Sequence, residues 1–117
     1  MLYTIHNSAM TVTIDSLGAQ LQSITAADGT EYLWNGDPAY WSGRAPILFP
    51  YVGRLTEDRF AFGGKEYGMS RHGFARATEF SLVTQGREHV TLHMEDTAKS
   101  RESYPFAFHF DVSYVLE

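Results

Sequence analysis

From Phe106 to Leu116 the chain alternates: Phe106, Phe108, Phe110, Val112, Tyr114 and Leu116 share one parity, with smaller or polar residues at most positions between them. A period of two marks a β-strand with one face buried, because successive side chains leave a strand on opposite sides. At eleven residues it is longer than the usual strand, and it commits the chain to a sheet with an inner and an outer face. Aromatics, at 15% of the residues, suit such pleated surfaces. The absence of cysteine rules out a disulfide framework, a thiolate zinc site and a cysteine nucleophile, and suits a reducing compartment, so the expected location is cytoplasmic. A net charge of -5 with no basic run speaks against a nucleic-acid partner. The longest apolar run, Ala45 to Val52, holds two prolines and falls far short of a bilayer, and Met1 to Thr4 has no charged signal start; no membrane partner is expected.

The other segments read as short strands and turns. Leu2 to His6 and Met10 to Asp15 form a meander about Asn7-Ser8, with Met10, Val12 and Ile14 on one face. Gly18 interrupts it, and alternation resumes over Ala19 to Thr25 through Leu21 and Ile24. Asp28-Gly29 predicts a hairpin into a further strand, Glu31 to Trp34, whose Tyr32 and Trp34 are expected to pack in the core. From Asn35 to Tyr51, glycines and prolines forbid long regular elements and leave a loop carrying Tyr40, Trp41, Arg44 and Phe49; long loops in small domains are usually functional. Arg59 to Phe62 and Lys65 to Tyr67 flank Gly63-Gly64 as a second hairpin. Gly68 to Ala77 has no clean period. Strands at Glu79 to Thr84 and His89 to Glu95, and one helical turn within Asp96 to Glu102, complete an all-β antiparallel design. No linker divides residues 1–117, and the long strand reaching the last residue predicts the N-terminal part of a longer β-protein.

Several familiar chemistries fail on inspection. His89 and His93 have helical metal-ligand spacing, but on a strand they stand roughly 13 Å apart and read as solvent-facing. Gly68-Met69-Ser70-Arg71-His72 departs from the nucleophile elbow at its last position, and no helix follows it. Gly63-Gly64-Lys65 lacks the context of a phosphate loop. What remains is arginine: seven of the nine basic residues are Arg, and Arg44, Arg54, Arg59, Arg71 and Arg76 crowd into one third of the chain. A guanidinium grips paired hydroxyls, carboxylates or phosphates, an imidazole donates to or accepts from a sugar oxygen, and an indole offers a face to a pyranose. Trp41, Arg44, Arg54, His72 and Arg76 therefore form the candidate patch. The plain alternative is a turn-bonded His72 and ordinary surface charges.

The run Trp41-Ser42-Gly43-Arg44-Ala45-Pro46-Ile47-Leu48-Phe49-Pro50-Tyr51-Val52-Gly53-Arg54, followed by Gly64-Lys65-Glu66-Tyr67 and His72-Gly73-Phe74-Ala75-Arg76, resembles the galactose mutarotase-like (aldose 1-epimerase) superfamily. Gly18-Ala19-Gln20-Leu21 and Glu31-Tyr32-Leu33-Trp34 extend the likeness, which is strongest to the LacX-like branch. The resemblance implies an antiparallel β-sandwich, the supersandwich, binding a hexose in a cleft across one sheet. It implies interconversion of α and β anomers: a carboxylate takes the anomeric proton, an imidazole protonates the ring oxygen, and the ring opens and recloses, with no metal and no cofactor. Arg54 matches the family's arginine after glycine and His72 its first substrate-binding histidine; these are the expected catalytic-site residues, with Arg76, Arg44 and Trp41 binding substrate. In the hexose-6-phosphate branch, arginines near these positions hold the phosphate, a role open to Arg76 and to Arg44 or Arg59. The family's longer arginine motif is replaced here by Leu55-Thr56-Glu57-Asp58-Arg59, which favours Arg54 and leaves Arg59 as the alternative.

The family's acid histidine and base glutamate would lie beyond Glu117, so residues 1–117 are expected to carry the substrate-positioning half of a site. Three readings follow: part of a sugar 1-epimerase acting on a hexose or hexose phosphate, a non-catalytic carbohydrate-binding module, or a sheet fragment that binds nothing. The open strand at the C-terminal end makes a homodimer through that edge a further expected partner.

Overall fold

Residues 1–117 are described by a computed structural model. Alternation becomes two antiparallel three-stranded sheets and a separate hairpin. In the first sheet β1 (Leu2–His6), β2 (Met10–Asp15) and β3 (Gln20–Ala26) pair in chain order. Leu21 and Ile24, three residues apart, cannot share a face of a regular strand. The register shifts between Thr13 and Ile14, leaving Gln22 as a bulge, so that Ile24 lies opposite Val12 and Leu21 opposite Ile14. The hairpin joins β4 (Arg59–Phe62) to β5 (Lys65–Gly68) through Gly63 and Gly64, whose φ of 59° and 79° are the pair of positive values a tight two-residue turn requires. The second sheet holds β6 (Ser81–Gln85), β7 (His89–Glu95) and β8 (His109–Val115), with the helix α1 (Ala98–Ser103) between the last two, capped by Thr97. No helix is long and apolar enough to cross a membrane.

The inner faces of the two sheets meet in one cluster. Ile5, Val12 and Ile14 come from the first sheet, Val90, Leu92 and Met94 from the second, and Ala19, Ala75 and Phe80 close it. Each large aliphatic so buried contributes about 1.5–3 kcal/mol. Polar pins cross the seam: His6 donates its N–H to Arg87 carbonyl at 2.7 Å, Phe80 donates to Ser16 carbonyl at 2.9 Å, and the Tyr114 hydroxyl donates to Ala19 carbonyl at 2.7 Å. The buried Ser16 hydroxyl bonds the Glu79 carboxylate. The sandwich is drawn out: its radius of gyration is 16.5 Å, against about 13 Å for a compact chain of this length.

Two strands are shorter than the alternation predicts. Phe106 to Phe108 are not in β8, because the Phe108 N–H goes to the Asp96 side chain at 3.0 Å and the Phe106 N–H to Tyr104 carbonyl at 2.8 Å. Their rings cluster with Tyr104 instead. The predicted strand Glu31 to Trp34 reduces to one bridge, Thr25 to Glu31. Here a side chain replaces the ladder: the Glu31 carboxylate accepts from the Ile24 N–H at 2.8 Å and from the Ser23 and Thr25 hydroxyls. Tyr32 is consequently 70% exposed, and Trp34 is partly so, rather than in the core.

These donors, the Ser23 hydroxyl foremost, hold the Glu31 carboxyl at about 2, below its ordinary value of 4.5. A depressed carboxylate stabilises the fold above its unfolded pKa, and that stability is lost as pH falls toward the folded value. The melting temperature of the native chain should therefore exceed that of Glu31→Gln at pH 6, and the gap should close between about pH 4.5 and 2 in thermal melts followed by circular dichroism.

Candidate functional site

The Asn35 to Tyr51 loop is fastened near its middle and toward its far end. Near its middle the Gln20 side-chain oxygen accepts the Arg44 and Ala45 N–H groups, both at 3.1 Å. The Arg44 guanidinium turns back to the Gln22 carbonyl at 3.0 Å, so it braces the loop against β3. Trp41 is half exposed, and its carbonyl accepts the Trp34 indole N–H at 2.7 Å, with Tyr40 edge-on to Trp34 at 6.2 Å. Further on, the Phe49 ring stacks on Phe110 of β8 at 4.5 Å, and the Phe49 carbonyl accepts the Phe74 and Ala75 N–H groups at 3.0 and 3.3 Å.

That contact sets the His72 turn beside Gly53 and Arg54. His72 adopts a left-handed φ of 65°, a conformation that costs a non-glycine residue of order 1–3 kcal/mol unless it is held. It is held twice: its N–H donates to Gly53 carbonyl at 2.8 Å, and its Nδ1 accepts the Gly53 N–H at 2.8 Å. An Nδ1 that accepts carries no proton, so the neutral ring bears its proton on Nε2 and presents a donor there. Gly73 must be glycine, since a Cβ there would stand 2.2 Å from the Phe49 oxygen.

The arginines divide by what they grip. Arg54 forks onto Asp58, Nε to Oδ1 at 3.0 Å and Nη2 to Oδ2 at 3.3 Å. Both side chains are largely exposed, so the pair contributes no more than about 1 kcal/mol and is open to exchange for a ligand's oxygens. Arg76 is exposed and donates to the Arg71 carbonyl, next to His72, at 3.0 Å. Arg59 pairs loosely with Glu66 at 3.5 Å across the β4–β5 hairpin. The Tyr51 hydroxyl lies between the Met69 and Ser70 carbonyls; burial, and then the Asp58 carboxylate, push it above its usual range, so it stays a donor and ties the loop to the His72 turn. The structure thus joins Arg54, His72 and Arg76 through short backbone links, and groups Trp41 with Trp34 and Tyr40. Two surface hollows, of about 370 and 600 Å³, lie elsewhere and touch none of the five candidate residues.

Sequence reasoning missed Gln20, Tyr51, Asp58 and the ring of Phe49 as supports. Gln20 sits within the Gly18 to Leu21 motif and Phe49 within the long arginine-bearing run, but nothing in either stretch marks which side chain anchors the loop.

A sequence model of the aldose 1-epimerase family matches residues 1–117. The chain belongs to the aldose 1-epimerase family. Among the proteins it is similar to, the chromosomal protein LacX of Lactococcus lactis subsp. lactis is 40% identical over 124 residues, covering 99% of this chain and 40% of that protein. The structure of a galactose mutarotase related enzyme from Lactobacillus acidophilus superposes with a TM-score of 0.98 at 40% identity, over 100% of this chain and 39% of that one. A galactose mutarotase-like protein from Lactobacillus casei ATCC 334 gives 0.96 at 38% identity, over 100% of this chain and 40% of that one. The two sheets are therefore part of the galactose mutarotase-like fold, and the chain spans about 40% of the length of the curated relatives it matches.

The role of Gly73 is testable by stability alone. Gly73→Ala should cost roughly 2–4 kcal/mol in urea denaturation, from left-handed strain plus overlap with the Phe49 carbonyl. Gly53→Ala, where the φ is also positive but a Cβ meets nothing within 4 Å, should cost about half as much.

Proposed function

We propose that residues 1–117 supply the sugar-positioning part of an aldose 1-epimerase site that interconverts hexose anomers. The observation that carries this reading is the doubly held His72, bonded through its N–H and its Nδ1 to Gly53, the residue before Arg54, whose guanidinium is paired only with the exposed Asp58. In this reading Arg54 and His72 grip hydroxyl or ring oxygens of the hexose, Arg76 adds a second cation, and Trp41, steadied through Arg44 and Trp34, gives the ring an apolar wall. Donors fixed in advance cost no reorganisation when charge develops on the ring oxygen, which is where an epimerase needs them. The acid and base that complete the reaction come from outside these residues.

The same proposal makes residues 1–117 the N-terminal portion of a single β-sandwich domain. Its support is the length of the relatives, the drawn-out shape and the free side of β8, which pairs only with β7. A free strand edge templates further pairing. The isolated chain should accordingly show a concentration-dependent mass in sedimentation, as a dimer through β8; a monomer at every concentration would remove that partner.

The function is tested by polarimetry of fresh α-D-glucose and α-D-galactose with the natural protein that contains this chain. His72→Ala should lower kcat/KM by roughly 10²–10³-fold, the cost of losing one positioned donor, while His89→Ala should leave it unchanged. Equal losses from both would overturn the assignment, and sugar binding without any acceleration would make the chain part of a binding module. Running glucose 6-phosphate in parallel, with Arg76→Ala, shows whether that cation reads a phosphate.

A further inference from the structure

The outer face of the second sheet carries a cluster that sugar chemistry leaves unused. Because β7 points Val90, Leu92 and Met94 inward, it turns His93 and Glu95 outward, and β8 turns His109 and Asp111 the same way. The register sets Glu95 directly opposite His109, and His93 directly opposite Asp111. Opposed Cβ atoms in such pairs are about 4.5–5.5 Å apart, close enough for side chains to converge. They do: Glu95 Oε2 lies 3.3 Å from His109 Nδ1 and 3.6 Å from His93 Nε2, and the two imidazoles stack at 5.5 Å. One ligand atom from each of His93, Glu95 and His109 falls within 4.8 Å of the others.

Those separations can be compared with a metal's demands. Zinc–ligand bonds of about 2.0–2.1 Å at tetrahedral angles put neighbouring donor atoms about 3.3 Å apart. Two of the three edges are already within a few tenths of that length. The third, between the imidazoles, must close by at most about 1.5 Å, which a turn of the exposed His109 ring can supply. His93 offers Nε2 because its Nδ1 is engaged by Asp111 Oδ1 at 2.5 Å. A carboxylate on the far nitrogen of a histidine is the support that metal-bound imidazoles usually have. Two imidazoles and one carboxylate suit borderline cations such as Zn²⁺ or Co²⁺, and suit Mg²⁺ and Ca²⁺ poorly, which prefer oxygen donors.

We propose that His93, Glu95 and His109 form a binding site for a divalent transition-metal ion of the zinc class, with Asp111 orienting His93 and a fourth position open to water or an external ligand. The site stands apart from Arg54 and His72 and does not depend on the sugar reading. Along one strand His89 and His93 cannot share a metal; the third ligand, His109, comes from the neighbouring strand, sixteen positions beyond His93 in the chain. The competing account is a cross-strand cluster of ion pairs with no affinity for metal.

Calorimetric titration of the untagged, chelator-treated chain with Zn²⁺ decides between them. One equivalent should bind, Co²⁺ should compete and give the visible band of imidazole-bound cobalt, and excess Mg²⁺ should not displace it. His109→Ala, His109→Gln and His93→Ala should each weaken binding at least 10-fold, and Asp111→Asn roughly 10–100-fold, as removal of such a support does elsewhere. His89→Ala, on the same face but roughly 13 Å along the strand from His93, should bind as the native chain does. The altered side chains lie on the sheet's outer face, and circular dichroism confirms that each variant is folded. Absence of stoichiometric binding, or binding that survives both His109 substitutions in folded protein, would overturn the site.

Discussion

The contact between Phe49 and β8 organises the loops that carry Arg54 and His72. Its ring lies flat on Phe110 and touches Phe74, Tyr104 and Phe108, so a loop with no regular structure is pinned to the most strongly patterned strand. Its carbonyl meanwhile receives two N–H groups from the segment after His72, and its main chain runs so close to Gly73 that no side chain fits there. One residue therefore sets two loops in register with each other and with the sheet. The pairing of Gly53 with His72 follows from that register. Without it, each loop would have to lose its conformational entropy separately, at about 1–2 kcal/mol per residue, with little apolar burial to offset the cost.

The division of labour among the arginines follows from what surrounds each. Arg44 is partly buried and bonded to a backbone carbonyl, which makes it a brace. Arg54 and Arg76 are exposed and held by contacts of modest strength, which leaves most of their donors free for a ligand. Five arginines crowded into one stretch thus serve different ends, and no count of charges distinguishes them. Two galactose mutarotase-like structures share the sheets on which these side chains stand, at TM-scores of 0.98 and 0.96.

Strand identity was legible wherever burial on one side imposed a period of two, as in β1, β2, β7 and most of β8. It failed where a side chain took over a main-chain bond: Asp96 caps the Phe108 N–H and shortens β8, and Glu31 collects four donors and leaves Tyr32 outside. Such substitutions depend on where two segments meet in space, which alternation does not encode. The same limit applied to the sites. His72 and Arg54 could be named from a motif, but the bond from Gly53 to Nδ1 that selects the donor nitrogen is a contact across nineteen positions. The grouping of His93 with His109 likewise required the register between β7 and β8.

The bulge in β3 has a consequence beyond restoring Leu21 and Ile24 to the core. By stepping Gln22 out of register with β2, it frees that residue's carbonyl, and this is the atom that receives the Arg44 guanidinium. The anchor is main chain, so the side chain at position 22 can drift without disturbing it. Gain or loss of a single residue in β3 could not: it would turn the strand over and unhook the loop in one event. The irregularity therefore acts as a length gauge, tying the position of the Arg44 loop to the residue count of a core strand and not to the identity of any residue within it.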